Sequence, residues 1–98
     1  MDRMTTPPKP AVKHNPQASR FELELEGRLA VLEYQLADGK ILFTHTHVPN
    51  ELGGRGIGSQ LARAGLEHAR AQGLRVVPLC SFIAGYIQKH PEYQALLA

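Results

Sequence analysis

Apolar and acidic residues alternate along the chain from position 21 to position 26. Phe21, Leu23 and Leu25 are each followed by a glutamate. A period of two is typical of a strand that buries one face, so the pattern predicts a first strand from Arg20. A second strand is predicted over residues 29–37, with alternate positions on one face: Ala30, Leu32, Tyr34 and Leu36.

Short turns join the predicted strands. Gly27-Arg28 is expected to form a tight turn, and Asp38-Gly39 is a strong signal for a two-residue hairpin. A third strand is then predicted over residues 40–48, and Pro49 ends it because proline has no N–H group for the ladder. The three strands are therefore expected to form an antiparallel meander.

Helical spacing replaces the alternation after a glycine-rich segment. The pattern predicts a long helix to about residue 72, where Gly73 is suited to end it. One face carries small and apolar residues: Gly58, Leu61, Ala62, Gly65, Leu66 and Ala69. The opposite face is polar: Gln60, Arg63, Glu67 and Arg70. A short apolar run over residues 74–79 then predicts a central strand, parallel to the third.

The last part of the chain predicts a second helix. Ser81 is suited to cap its start and Pro91 to end it. Its expected buried face consists of Phe82, Ile83, Tyr86 and Ile87. A last turn over residues 93–97 is expected to pack back on the sheet. Together the elements predict an α/β fold with a mixed sheet, in one domain over residues 20–98. Residues 1–19 hold four prolines among polar residues and predict a disordered tail.

Composition narrows the class of protein. The 98 residues, 43% of them hydrophobic, suffice for one small domain with a modest core, and a monomer or weak homodimer is expected. A net charge of +2 without a basic run suits a small phosphate-bearing ligand better than an extended nucleic-acid surface. No apolar run approaches the roughly 20 residues that span a bilayer, and no signal peptide is seen. With Cys80 as the single cysteine, no internal disulfide can form, and a cytoplasmic protein is expected.

Four glycines between positions 53 and 58 separate the third strand from the long helix. Glycine lets a backbone approach a ligand closely, and a helix start offers unpaired N–H groups and a positive dipole end. We therefore predict a phosphate or pyrophosphate site, with Arg55 as an additional charged donor. A dinucleotide site is a weak match because the loop follows antiparallel strands, and a phosphate-loop NTPase is excluded because no lysine precedes Ser59.

The glycine segment resembles a motif of the GNAT superfamily of acyl-CoA N-acetyltransferases. That motif, Arg/Gln-x-x-Gly-x-Gly/Ala, stands between a strand and a long helix. Gly56-Ile57-Gly58 matches its second half, and Gly53 stands where arginine or glutamine is usual. Further segments resemble a short stand-alone branch of the superfamily: residues 45–52, 77–80 and 90–93. This branch is similar to GNAT proteins shortened at the N-terminal end, where helices normally help to form the acceptor site.

The resemblance implies an N-acetyltransferase that moves an acetyl group from acetyl-CoA to an amine that the sequence does not identify. An acetyl-CoA- or CoA-binding module with little or no turnover is the alternative. The resemblance also implies that the third strand and the fourth strand, predicted over residues 74–79, splay apart. The pantetheine arm of the cofactor would then lie between them. The implied contacts are the backbone of Thr46, His47 and Val48 and the loop residues Gly53, Gly54, Arg55, Gly56, Ile57, Gly58 and Ser59.

Three residues are candidates for catalysis. Cys80, between an apolar strand and a helix start, is either an acyl-accepting nucleophile, an acid for the departing thiolate, or a small buried residue. His47 shares a strand face with His45 and is a base or part of a polar, solvent-facing pair. Tyr86 resembles a tyrosine that protonates the CoA thiolate, or else it packs in the core.

Other side chains offer less chemistry. The pair His45 and His47 lacks the further ligands that zinc requires, and no other histidine has matching spacing, so no metal site is predicted. Glu51 is the carboxylate next to the glycine loop, and it is a candidate base or a solvated loop residue.

Overall fold

The computed structural model describes residues 11–98, which form a five-stranded mixed sheet and two α-helices. The strands lie across the sheet in chain order: β1 Lys13–Asn15, β2 Arg20–Leu25, β3 Arg28–Ala37, β4 Lys40–His47 and β5 Arg75–Pro78. The helices are α1 Ile57–Gln72 and α2 Ser81–Lys89, and 3₁₀ turns cover Pro16–Ala18, Asn50–Leu52 and Pro91–Leu96. The predicted α/β class is confirmed. Neither helix within residues 11–98 is long and apolar enough to cross a membrane.

Strands β2, β3 and β4 form the predicted antiparallel meander. Asp38 and Gly39 make its second turn, with positive φ angles of 53° and 76°. The first turn is Glu26-Gly27, one residue earlier than predicted, because both positions of this turn need a positive φ and glycine supplies one of them. Of the four residues predicted to share a face of β3, Leu36 is 62% exposed, and β2 flanks β3 only as far as Glu33.

The structure corrects the predicted tail over residues 11–19, while residues 1–10 lie outside the described part of the chain. Lys13–Asn15 pairs antiparallel with β2 as the edge strand β1. His14 supplies the contacts: its ring stacks on Phe21 at 4.4 Å between centroids, and its Nε2 lies 2.6 Å from the hydroxyl of Tyr34. An edge strand is stabilised by hydrogen bonds and side-chain packing with the one strand beside it. A polar segment can therefore join the sheet without an alternating apolar pattern.

Strand β5 is parallel to β4, as predicted, but it is an edge strand rather than a central one. The apolar residues of β5 are buried for a reason other than a central position in the sheet. Val76 is fully buried, and the chain end runs beside it, with a bridge from Val76 to Leu97 and a bond from the N–H of Ala98 to the carbonyl of Val76 at 2.9 Å. The C-terminal segment thus covers part of this edge.

Helix α2 also departs from its predicted pattern. Its N-cap is Cys80 rather than Ser81. Ile83 and Ile87 are buried, whereas Phe82 is 42% exposed and Tyr86 is half-buried. The helix therefore buries only a narrow stripe and turns its two aromatic rings towards a groove beside α1.

Gly65 brings α1 close to the sheet, and this contact yields a prediction. A Cβ atom at Gly65 would lie 2.8 Å from Cδ2 of Leu32 and 2.9 Å from Cε1 of Phe43. We expect Gly65→Ala to lower the free energy of unfolding by about 1–3 kcal/mol, because the added methyl overpacks a fully buried contact. Gly85, also helical, has no atom within 4 Å of such a Cβ. Gly85→Ala should raise stability by about 0.5–1 kcal/mol through helix propensity. Urea denaturation of both variants measures this contrast, and equal stabilities would contradict the packing.

Candidate active site at the glycine loop

The sheet opens between β4 and β5. Their paired positions run from Lys40 with Arg75 to Phe43 with Pro78. The next backbone bond joins the N–H of Cys80 to the carbonyl of Phe43 at 2.9 Å. Beyond it, β4 continues to His47, and over residues 11–98 its last residues pair with β3 alone. An open backbone edge therefore begins beside Cys80.

Helix α1 starts at the same end of the sheet, and its first turn is uncapped. Gly54 and Gly56 adopt φ angles of 79° and 72°, which favour glycine. Gly56 is the N-cap, and the first helical bond runs from the N–H of Gln60 to its carbonyl at 3.1 Å. No side chain within residues 11–98 caps the helix. The N–H groups of residues 57–59 thus lack a helical partner, and an anion can bind them.

A cavity of about 260 Å³ lies over this helix start. Its lining comprises the loop from Gly53 to Ser59 other than Arg55, with Val48, Leu52 and Phe82. The loop residues predicted to contact a cofactor are therefore neighbours in space, and Val48 joins them. The positive φ angles and the uncapped N–H groups fit a diphosphate, even though Gly53 offers no side chain.

Arg55 points away from this cavity. Its guanidinium forms an ion pair with Glu26 in the first turn of the meander, at 2.7 Å and 3.4 Å between nitrogen and oxygen atoms. This contact holds the pKa of Glu26 below its ordinary value. Both side chains are about half exposed, and solvent screening leaves such surface ion pairs weak. Arg55 is thus held by a weak contact that a more strongly charged anion can replace.

Cys80 and Thr46 meet at the opening between β4 and β5. The Sγ of Cys80 lies 3.2 Å from the Oγ1 of Thr46, and the thiol is partly buried. Burial raises the pKa of the Cys80 thiol. The Thr46 hydroxyl and the backbone N–H groups of Ile83, Phe82 and Thr46 outweigh burial and lower the pKa below its ordinary value. Cys80 therefore combines a lowered pKa with a position at the opening between β4 and β5, as a reactive thiol requires.

Comparison with known proteins decides the family. A family profile described as GCN5-related N-acetyl-transferase matches residues 20–96. The chain belongs to this family. Protein NATD1 of Mus musculus is 34% identical over 88 residues, which are 87% of this chain and 80% of the relative. Protein NATD1 of Xenopus tropicalis is 30% identical over 99 residues, which are 98% of this chain and 91% of the relative.

A solved structure supports the same family. The NMR solution structure of a GCN5-like protein from Staphylococcus aureus is 33% identical and superposes with a TM-score of 0.70. The match covers 89% of this chain and 86% of that one. The resemblance to GNAT proteins is thereby confirmed for the fold and the family. The roles of individual residues in this member of the GCN5-related N-acetyltransferase family stay predictions.

Phe82 lines the cavity over the start of α1, and sequence reasoning did not predict it as a site residue. Its ring packs against Gly58: a Cβ built there would lie 2.8 Å from Cζ of Phe82. The sequence held a signal for this. Phe82, Tyr86 and Lys89 recur at spacings of four and three, so they form a helix stripe of their own beside the buried Ile83 and Ile87.

The other predicted catalytic residues do not gather around Cys80. Thr46 faces Cys80, so its strand neighbour His47 points to the opposite face of β4. There the rings of His45 and His47 lie parallel, 6.5 Å apart, and both residues are exposed. Tyr86 stacks on His90 at 3.9 Å in the groove between α1 and α2. The structure thus brings Thr46 to Cys80 and leaves His47 elsewhere.

Glu51 lies in an ion pair. Its Oε1 is 3.3 Å from Nε of Arg28. Its own backbone N–H and Arg28 lower the pKa of Glu51, which makes it a weaker base. Over residues 11–98 no three His, Cys, Asp or Glu side chains are placed to share a metal ion. A larger depression of about 440 Å³ lies by β1 and β2, where three glutamates, Glu22, Glu24 and Glu26, outnumber Lys13 and make it unsuited to a diphosphate.

The hydroxyl of Thr46 should control the reactivity of Cys80. As the pH rises through the pKa of Cys80, the thiolate forms and alkylation by iodoacetamide accelerates. Thr46→Val removes a donor to the thiolate, so the pKa rises and the alkylation rate at pH 7 should fall about threefold or more. Thr44→Val is the matched control, because the Thr44 hydroxyl bonds to the carbonyl of Glu33 at 3.2 Å. Equal rates for the two variants would contradict the role of Thr46.

Proposed function

We propose that this chain is an acyl-CoA-dependent N-acetyltransferase that moves an acetyl group from acetyl-CoA to an amine. One observation carries the proposal: the uncapped start of α1 shares a cavity with Val48, which follows the end of β4 at the opening of the sheet where Cys80 lies. In this proposal the helix start binds the diphosphate, the open edge of β4 receives the extended arm and Cys80 lies where the thioester ends. Membership of the GCN5-related family supports the same activity.

The chain's own groups have distinct tasks in this proposal. The N–H groups of residues 57–59 bind the diphosphate, and glycines 54 and 56 let it approach. Arg55 leaves Glu26 and adds a charged donor. The unpaired edge of β4 around Thr46, His47 and Val48 receives the pantetheine arm as an added strand.

Cys80 has two possible tasks, which differ in the bond that it forms. As a nucleophile, its thiolate attacks the thioester carbonyl and takes the acetyl group, and CoA leaves as a thiolate. The amine then attacks this new thioester, forms the amide and frees the sulfur of Cys80. As an acid, Cys80 gives its proton to the departing CoA thiolate while the amine attacks acetyl-CoA directly, and the proton from the amine restores the thiol.

The amine must be neutral when it attacks, although a lysine-like amine has an ordinary pKa of about 10.4. His47 lies on the opposite face of β4 from Cys80, so we propose that water carries the proton of the amine out of the cleft to solvent. Tyr86 is the second proton donor that we propose. Burial raises the pKa of Tyr86, so its phenol stays protonated at neutral pH, as a donor requires.

A binding module with little or no turnover is the second candidate. It is favoured by the surroundings of Cys80: in the described part of the chain Cys80 has hydroxyl and backbone partners and no carboxylate partner. The nearest carboxylate to the loop in sequence, Glu51, is held by Arg28. Such a site binds acetyl-CoA but lacks a strong base for the amine.

A titration with acetyl-CoA, followed by NMR residue by residue, tests the proposal. We expect the amide signals of residues 53–59 to move in a saturable manner, together with those of Thr46 and Cys80. Release of free CoA with a panel of small amines and amine-bearing peptides then separates the enzyme from the binding module. Amide signals that stay unchanged in excess ligand would overturn both candidates.

A further inference from the structure

The turn between β2 and β3 is joined to the glycine loop by two ion pairs of opposite polarity. The carboxylate of Glu26 binds Arg55 within the loop, at 2.7 Å between Oε2 and Nη1. The guanidinium of Arg28 binds Glu51 in the 3₁₀ turn just before the loop, at 3.3 Å between Nε and Oε1. The turn thus contacts the chain both before the glycines and among them, so it can influence how the loop meets a ligand.

Arg55 is the loop residue whose direction these contacts decide. Every other residue from Gly53 to Ser59 lines the cavity over the start of α1. The guanidinium of Arg55 instead makes two hydrogen bonds to Glu26, at 2.7 Å and 3.4 Å. Since Arg55 is the one charged residue of the segment 53–59, the loop's charged donor points to a carboxylate of the turn rather than to the helix start.

The backbone of Glu26 is strained. Its φ is 56°, in the left-handed region that glycine, asparagine and aspartate adopt more readily than glutamate does. The following residue, Gly27, has a φ of 75°, so the strain falls on Glu26 alone in this turn. A strained residue whose side chain reaches a candidate binding loop points to a role for that side chain.

Glu26 keeps a cationic neighbour when Arg55 leaves it. The hydrogen bond from Arg55 is the largest cause of the lowered pKa of Glu26, and the charge of Arg28 lowers this pKa further. Arg28 also donates a hydrogen bond to the backbone carbonyl of Glu26 at 3.5 Å. Movement of Arg55 to a ligand therefore exchanges one charge-assisted contact for another, and the balance depends on how strongly each anion attracts the guanidinium.

We propose that Glu26 competes with the diphosphate of CoA for Arg55 and thereby holds the affinity of the glycine loop for CoA below its maximum. The inference rests on the proposed function, because it concerns the ligand that this function requires. Binding of CoA breaks the ion pair between Arg55 and Glu26, and departure of CoA restores it. Glu26 is thus a positioning residue that acts through Arg55 and favours the release of product CoA.

Isothermal titration calorimetry with CoA tests the competition on four chains: the wild type, Glu26→Gln, Arg55→Gln and the double variant. We expect Glu26→Gln to bind CoA about twofold to fivefold more tightly than the wild type, the range that an exposed ion pair allows. Arg55→Gln should bind more weakly, because it loses a charged donor to the diphosphate. In the Arg55→Gln chain, the further change Glu26→Gln should alter the affinity by less than about 1.5-fold. A purely structural role for Glu26 in the turn would not depend on Arg55 in this way.

Glu24→Gln is the matched control. Glu24 lies two residues before Glu26, is exposed, and has no ion-pair partner within residues 11–98. Its replacement removes the same charge from the same region, so it measures the long-range effect of a carboxylate on an anionic ligand. Because salt screens exposed charges, we expect this effect to be below about 1.5-fold at 0.15 M ionic strength.

The outcomes distinguish the inference from the function on which it rests. Tighter binding by Glu26→Gln that disappears in the Arg55→Gln chain supports the competition. Three results would overturn it: no gain in affinity in Glu26→Gln, an equal gain in Glu24→Gln, or an Arg55→Gln chain that binds as tightly as the wild type. Each of these leaves the proposed function intact, since CoA still binds. If the wild-type chain does not bind CoA, the proposed function fails and the inference fails with it.

Discussion

Replacing Gly56 by alanine should weaken CoA binding at least about tenfold, because it alters the loop that presents the N–H groups of α1. Gly56 has a φ of 72°, and a Cβ atom there meets no protein atom within 4 Å. The new methyl group therefore projects into open space at the start of the helix, where the diphosphate has to come within hydrogen-bond distance. It also strains a backbone position that favours glycine, by about 1 kcal/mol.

Gly73→Ala provides the matched control for this experiment. Gly73 ends the same helix, has a φ of 68° and also has no atom within 4 Å of a Cβ. Both variants should therefore lose similar stability in thermal unfolding, and only Gly56→Ala should lose affinity for CoA in calorimetry. Equal affinities in the two variants would mean that the diphosphate binds elsewhere.

Replacing Cys80 by serine should lower acetyl transfer by at least about a hundredfold. Serine is a good N-cap and retains a hydrogen-bonding group next to Thr46, so the start of α2 should persist. It lacks an ionised nucleophile at neutral pH and has no acidic proton for a departing thiolate. The measurement is the rate of CoA release with an amine that the wild-type chain accepts.

Mass spectrometry separates the two proposed tasks of Cys80. If Cys80 is the nucleophile, the wild-type chain gains one acetyl group from acetyl-CoA in the absence of amine, and Cys80→Ser does not. The adduct is a thioester, so neutral hydroxylamine should remove it. An unmodified wild-type chain with full turnover assigns the acid task instead, and full turnover by Cys80→Ser would exclude both.

The sequence predicted the elements whose signals are local. Alternation from Phe21 placed β2, Asp38-Gly39 placed a hairpin, and helical spacing with Gly73 placed α1 up to Gln72. The glycines between 53 and 58 identified the loop at the start of that helix. Each of these signals lies within a few residues of the element that it specifies, so no knowledge of distant contacts was needed.

Other features depended on partners far along the chain. Strand β1 is stabilised by contacts of His14 with Phe21 and Tyr34, and its own sequence has no alternating apolar pattern that predicts a strand. The burial of Val76 on the edge strand β5 depends on the C-terminal segment, which returns to pair beside it at Leu97. The position of the Phe82 ring against α1 depends on the absence of a side chain at Gly58, which lies on that helix.

By itself, the sequence determined the meander, the long helix and a glycine loop suited to an anion, because hydrogen bonding within turns and helices follows from neighbouring residues. Only the tertiary structure decided what that loop adjoins. It joined Thr46 to Cys80 across 34 positions, separated His47 from them and placed Arg55 against Glu26. Such contacts arise when the core buries its apolar faces, and burial brings together residues that the order of the chain keeps apart.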